Sequence, residues 1–253
     1  MTQAGTSVWI DPSWLSWEAM MDAGGGYDPS DITARPYEIH QHACDRLAGN
    51  PTEFDRIDAI TTLNRVVRRR VKELNEKYHL RELPTGAKPK YNLELLEYFG
   101  IIRPLMVKRL IDIRNLVEHE DSIPPPADEC LMFADLVWYF LRSTDKIVHG
   151  FIEVIAFEQR VPADDPDEIR HFNVSVVFDQ SFNKPLGIRA DIDSAGIAYE
   201  PRKNWMKIEN AEVTASHYAR PDEPQICVWG NVSGTDAQMK YIYDLYFTLS
   251  HFS

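Results

Sequence analysis

A chain of 253 residues with a formal net charge of −12, 44% hydrophobic and 26% charged residues, has the balance of a globular protein with material for one large domain or two ordinary ones. The hydrophobic share excludes intrinsic disorder, and the acidity excludes a non-specific nucleic-acid coat, since phosphate contacts need an excess of Lys and Arg. A local basic groove remains open.

Cys44, Cys130 and Cys227 lie far apart without a CxxC pair. That points away from a disulfide framework or thiolate zinc site and toward a reducing cytoplasm. No basic-then-apolar leader opens the chain, and no apolar stretch approaches the ~20 residues of a bilayer span. The expectation is a cytoplasmic protein without a membrane partner, metal or cofactor.

Residues 1–35 read as an irregular arm. Pro12 to Ala23 suit a short helix closed by Gly24-Gly25-Gly26, and Trp9, Trp14 and Trp17 serve to pack the arm onto the main body. The spacing then predicts a helical bundle over 36–149. A first helix, Pro36 to Leu47, stops at Gly49-Asn50-Pro51. Thr52 caps a long second helix to about Tyr78, in which Ile57, Ile60, Leu63, Val67, Val71 and Leu74 recur at helical spacing. Leu83 to Pro89 form a loop, and a short helix from Leu93 to Tyr98 ends at Gly100. The next helix starts near Arg103-Pro104, with proline suited to a first turn, and carries the stripe Met106, Leu110, Ile113 and Val117. Pro124-Pro125-Pro126 break it off. A final helix from Ala127 to about Ile147 buries Leu131, Phe133, Leu136, Val137, Phe140 and Leu141. Short loops between helices predict an antiparallel arrangement.

After Gly150 the period changes. Phe151 to Glu158, Asn173 to Asp179, Leu186 to Asp193, Met206 to Val213, Ile226 to Val232 and Lys240 to Leu249 read as strands rich in aromatic and β-branched residues. In the last, Tyr241, Tyr243, Leu245, Phe247 and Leu249 alternate onto one face, although a helix can be drawn through the same residues. Pro162 to Glu168 and Pro221 to Pro224 are turns, the first without the alternating ligands and glycine of a calcium loop. The expected fold class is therefore α+β: an N-terminal antiparallel helical bundle followed by a mostly antiparallel, sandwich-like β domain over 150–253.

The segment with most chemical content is Arg114-Asn115-Leu116-Val117-Glu118-His119, near the end of the Arg103 helix. It combines a permanent cation, an amide and an imidazole that titrates near neutral pH, the groups that metal-free RNA cleavage requires. Spacing alone is uninformative, because Arg35 with His40 and His42, and Arg142 with His149, are similarly separated. Context singles out Arg114: Asn115 follows it directly, the helix is amphipathic, and a proline-broken loop leads into one more apolar helix. Arg114 and Glu118 share a helix face, as do Asn115 and His119, whereas Arg114 and His119 stand about 140° apart around the axis. An ordinary capped helix end would use the same groups, with Arg114 paired to Glu118 or Asp112.

Together with Asp55-Arg56-Ile57-Asp58-Ala59-Ile60 and the basic helix that it opens, this Arg-Asn-x-x-x-His pattern resembles HEPN domains over about residues 51–148. The resemblance implies a homodimer whose two motifs line one cleft, and in many members a metal-independent endoribonuclease acting as a toxin or defence effector. It implies that Arg114 stabilises the charged phosphorane, that Asn115 orients the imidazole or phosphate, and that His119 moves the proton. It does not extend to residues 150–253, which are expected to engage substrate, a protein partner or a small ligand. The other reading is a non-catalytic binding protein that dimerises through the bundle.

Arg65, Arg69 and Lys72, part of the dense cluster that also holds Arg68 and Arg70, share one side of the long helix and are candidate contacts to RNA phosphates. A solvated face paired with Glu73 or Glu76 accounts for them equally well. His40 and Cys44 share a helix face, but without a convincing further ligand a structural role is favoured.

Overall fold

The computed structural model describes residues 7–25, 34–103, 105–119, 122–162, 169–179, 182, 184–216 and 225–252, and the backbone alone at 23–25, 34, 106, 117–119, 169 and 252. The turns expected at 163–168 and 221–224 lie outside the described residues. The architecture is mixed helix and sheet, in two compact units. Met1–Gly25, Glu82–Ala87 and Phe151–Leu249 form one, and Gly26–Arg81, Lys88–Gly150 and Ser250–Ser253 the other.

The second unit is helical: α1 Ala34–Leu47, α2 Glu53–Tyr78, α3 Asn92–Tyr98, α4 Leu105–His119 and α5 Ala127–His149. Thr52 starts α2 through a reciprocal cap, its hydroxyl accepting from the Asp55 N–H while the Asp55 carboxylate accepts from the Thr52 N–H. The Thr52 hydroxyl and N–H together hold the Asp55 carboxyl below its ordinary range. Ile60, Leu63, Val67 and Leu74 of α2 meet Phe133, Val137 and Leu141 of α5 in the core, all no more than 2% exposed. Each such Leu or Ile adds roughly 1.5–3 kcal/mol relative to exposure.

Chain direction follows from the polar contacts. Arg56 reaches the Pro125 carbonyl, Arg70 the Asp145 carboxylate and Lys77 the Val148 carbonyl, at sequence separations of 69, 75 and 71. A near-constant offset along the full length means that α2 and α5 run in parallel. Against α1 the order reverses, since Tyr37 bonds Asp145 whereas His40 bonds the Ala134 carbonyl. Helices α1 and α5 are antiparallel.

The first unit is built on one antiparallel sheet in the order β2-β3-β4-β5-β8-β7-β1-β6. Its strands are β1 Val8–Ile10, β2 Glu18–Gly25, β3 Phe151–Pro162, β4 Ile169–Val177, β5 Gly187–Asp193, β6 Ile197–Ala198, β7 Met206–Ala215 and β8 Gln225–Ser233. This single open sheet replaces the expected sandwich. In β7 a bulge follows Glu209, and Asn210 takes φ 52°, a left-handed conformation that Asn tolerates. Gly230 lies opposite, where a Cβ would fall 2.5 Å from Ile208 Cγ2.

Two expectations are corrected here. The irregular arm with a helix from Pro12 to Ala23 is instead β1, a 3-10 turn over Pro12–Ser16, and β2. Asp11 caps the Ser13 N–H at 2.8 Å, but the Trp17 N–H already bonds back to Trp14 and ends the turn. Trp14 then buries its ring edge-on against Phe157, centroids 4.9 Å apart, and the chain pairs along β3. Strand pairing outweighs local helix propensity.

The second correction concerns Lys240 to Leu249, which belongs to a helix, α6 Asp236–Phe252. Met239, Ile242, Tyr243, Tyr246 and Phe247 are its buried positions, at i, i+3, i+4, i+7 and i+8. Thr235 and Gln238 close a capping box, with the Thr235 N–H donating to Gln238 Oε1 at 2.8 Å and the Gln238 N–H to Thr235 Oγ1 at 3.3 Å. The Tyr246 hydroxyl accepts from the Ile152 N–H at 3.2 Å. Burial of that side of α6 pushes the Tyr243 phenol above its ordinary value.

Candidate active site

Val107, Leu110 and Ile113 anchor α4 in the helical unit at 9%, 1% and 5% exposure. Around the helix that leaves Arg114 at the margin of the buried stripe, half-buried, and Asn115 on the exposed side. The Arg114 guanidinium donates from Nη1 to Asn115 Oδ1 at 3.1 Å. Cation and amide thus form one polar pair at the last two turns of α4. His119 is the helix's last residue; its side chain, with those of Val117 and Glu118, lies outside the described residues. The Ser122 N–H donates to the Leu116 carbonyl at 3.3 Å. Leu116 and, four residues past the helix end, Ile123 are exposed apolar groups beside the motif.

The basic cluster of α2 is largely spoken for. Arg69 Nε lies 3.0 Å from Glu73, and Lys72 Nζ 3.4 Å from Glu76, both one turn along the same helix. Arg65 and Arg68 are exposed. Arg70 is fully buried: its Nη1 donates to Asp145 Oδ1 at 2.9 Å, Thr144 Oγ1 at 3.0 Å and the Leu141 carbonyl at 3.2 Å. Tyr37 donates its hydroxyl to the same carboxylate, and burial together with that bond pushes its phenol up to about 12. Arg70 therefore leaves the cluster and becomes a buried tie between α1, α2 and α5. Asp145 carries no signal of its role in the sequence, because it sits among the polar neighbours Arg142, Ser143, Thr144 and Lys146.

His40 sits in the interior at 8% exposure with Nε2 2.8 Å from the Ala134 carbonyl. A carbonyl only accepts, so Nε2 carries the proton. Cys44 Sγ lies 3.8 Å from His40 Nδ1, and no group of three metal-capable side chains occurs among the described residues. Thiol nucleophiles are equally disfavoured. Burial pushes Cys130 up to about 11, and Cys44 and Cys227 above the ordinary thiol value. Among the described residues no helix is long and apolar enough to cross a membrane.

What this site offers is positioning and charge: a guanidinium held against an amide at a helix end five residues from an imidazole-bearing position. No family model, curated protein or solved structure matches the chain.

Proposed function

We propose that the helical unit is a metal-independent endoribonuclease of HEPN type, acting as a homodimer in which each copy contributes Arg114, Asn115 and His119 to a shared cleft. The observation that carries the reading is the bond from Arg114 to Asn115 at the end of α4, which orients a cation and an amide together. Exposed Leu105 and Leu116 on α4, and Leu131, Met132, Trp138 and Tyr139 on α5, supply apolar surface of the kind that a second copy covers.

The chemistry is transphosphorylation. The ribose 2′-oxygen attacks the adjacent phosphorus as its proton leaves, the bond to the 5′-oxygen breaks, and that oxygen gains a proton. The products are a 2′,3′-cyclic phosphate and a 5′-hydroxyl. His119 exchanges the proton at one of the two oxygens, Arg114 neutralises the phosphorane, and Asn115 orients the imidazole or the phosphate. A toxin or defence role in the cytoplasm suits such an activity, with residues 150–253 engaging substrate, a protein partner or a small ligand.

The test is incubation of purified protein with assorted RNAs in chelator, beside Arg114→Ala and His119→Ala. Wild type alone cleaves, leaving cyclic phosphate ends; equal cleavage by His119→Ala rejects the assignment. A second reading, a non-catalytic dimeric binding protein, is favoured by the carboxylates that occupy Arg69 and Lys72. It predicts identical silence from all three proteins.

A further inference from the structure

The sheet unit has a polar face that the nuclease reading does not use. Directly paired residues of an antiparallel sheet share a face. The register therefore puts Glu158, Asn173 and Asp191 in one row across β3, β4 and β5, and Ser175, Arg189 and Trp229 in the next same-face row across β4, β5 and β8. A cavity of about 380 Å³ lies over these rows, lined by Asp22, Glu158, Asn173, Ser175, Arg189 and Asp191 among others.

A merely solvated sheet face does not look like this. Asp191 is only 3% exposed, although a carboxylate on a solvated face has no reason to be removed from water. Its Oδ1 accepts from Ser216 Oγ at 2.8 Å, and its Oδ2 lies 3.4 Å from Arg189 Nε. Arg189 in turn holds its guanidinium 5.0 Å from the Trp229 ring centroid, while Trp229 keeps 47% of its surface exposed. Ser175 donates its hydroxyl to Asn173 Oδ1 at 2.8 Å and so fixes the amide's orientation. The charges are matched locally: Arg189 with Asp191, and Arg160 with Glu158 at 3.6 Å. Asp22 adds one further carboxylate, so the cavity offers fixed donors and acceptors with a modest acidic excess, next to an exposed indole.

We propose that this face binds a neutral, polyhydroxylated ligand, a saccharide. Hydroxyls both donate and accept, which suits alternating carboxylate, amide, hydroxyl and guanidinium groups. The apolar C–H face of a sugar ring covers an exposed indole without needing charge. Anionic ligands meet Asp22, Glu158 and Asp191, and organic cations meet Arg189 already stacked on Trp229. The inference does not depend on the nuclease assignment.

Saturation-transfer NMR on the 253-residue chain tests it, with glucose, galactose, mannose, xylose, ribose, N-acetylglucosamine, maltotriose and cellotriose as probes at millimolar concentration. At least one sugar is expected to receive saturation on its ring protons. Its affinity should fall roughly tenfold, about 1.4 kcal/mol, in both Trp229→Ala and Asn173→Ala. It should be unchanged in Tyr199→Ala, an exposed aromatic residue elsewhere on the same unit. Circular dichroism confirms that each variant is folded, and two separate variants guard against the loss of either one. Absence of transfer to every sugar overturns the proposal. So does binding that Trp229→Ala and Asn173→Ala leave intact.

Discussion

At the scale of single residues, the most consequential side chain outside the motif is Arg70. A buried guanidinium is tolerated because its Nη1 meets Asp145, Thr144 and the Leu141 carbonyl while its Nε lies 3.3 Å from the Glu73 carboxylate. The charge pair matters less for its own worth than for the penalty of leaving one partner behind. Asp145→Asn keeps the shape and leaves Arg70 charged with only Glu73 Oε2, 3.3 Å from its Nε, as a carboxylate partner, so the protein should lose about 3 kcal/mol of stability in urea titration. Arg70→Met combined with Asp145→Leu removes both charges and should lose clearly less than Asp145→Asn alone. A double variant as unstable as the single one would show that the remaining bonds, including that from Tyr37, carry the interaction. Only half of this was legible in advance. Arg70 was visible as part of a basic run, but the run gave no hint that one of its members points inward.

At the scale of elements, helix ends decided what periodicity left open. Thr52 was readable as a cap from its place before Glu53 and an apolar helical repeat, and the reciprocal bond with Asp55 follows from their spacing. The same logic holds at Thr235 and Gln238, where alternating aromatic residues drew the reading toward a strand. Thr235→Ala should cost about 1 kcal/mol in equilibrium unfolding, while Thr235→Ser should be close to neutral. If α6 were a strand, Thr235 would cap nothing and the alanine variant would unfold with wild type. Tyr241 and Tyr243 belong to an alternation that the fold does not respect, since Tyr243 is 3% exposed and Tyr241 44% exposed. Two residues apart on a helix they diverge by about 200°, close enough to the 180° of a strand for a short segment to satisfy both periods. At Pro12 to Ala23 the opposite error arose, because pairing with β3 supplied hydrogen bonds that local propensity cannot anticipate.

At the scale of the whole molecule, a net charge of −12 limits how RNA is held. Any binding must rest on few cations, and the dependence on salt should be shallow. For single-stranded RNA each neutralised phosphate contributes roughly −0.7 to the slope of log affinity against log salt, so Arg65, Arg69 and Lys72 together predict a slope near −2. Because Glu73 and Glu76 already hold Arg69 and Lys72, Arg65→Ala should flatten the slope more than Arg69→Ala or Lys72→Ala. Fluorescence anisotropy across a salt series measures this. A slope several times steeper, indifferent to Arg65→Ala, would place the RNA on another surface.

By itself the sequence determined the mixed helix and sheet content, the positions of α1 to α5, most strands after Gly150, and the candidacy of Arg114, Asn115 and His119. These rest on local periods, caps and breakers, which act over a few residues and are written directly in the order of side chains. Only the tertiary structure decided that the first strands join the sheet, that one open sheet takes the place of a sandwich, and that Arg70 is buried against Asp145. It also brought Asn173, Arg189, Asp191 and Trp229 onto one face. The chemistry of that face comes from neighbours in register rather than in sequence, and register is fixed by which strands pair.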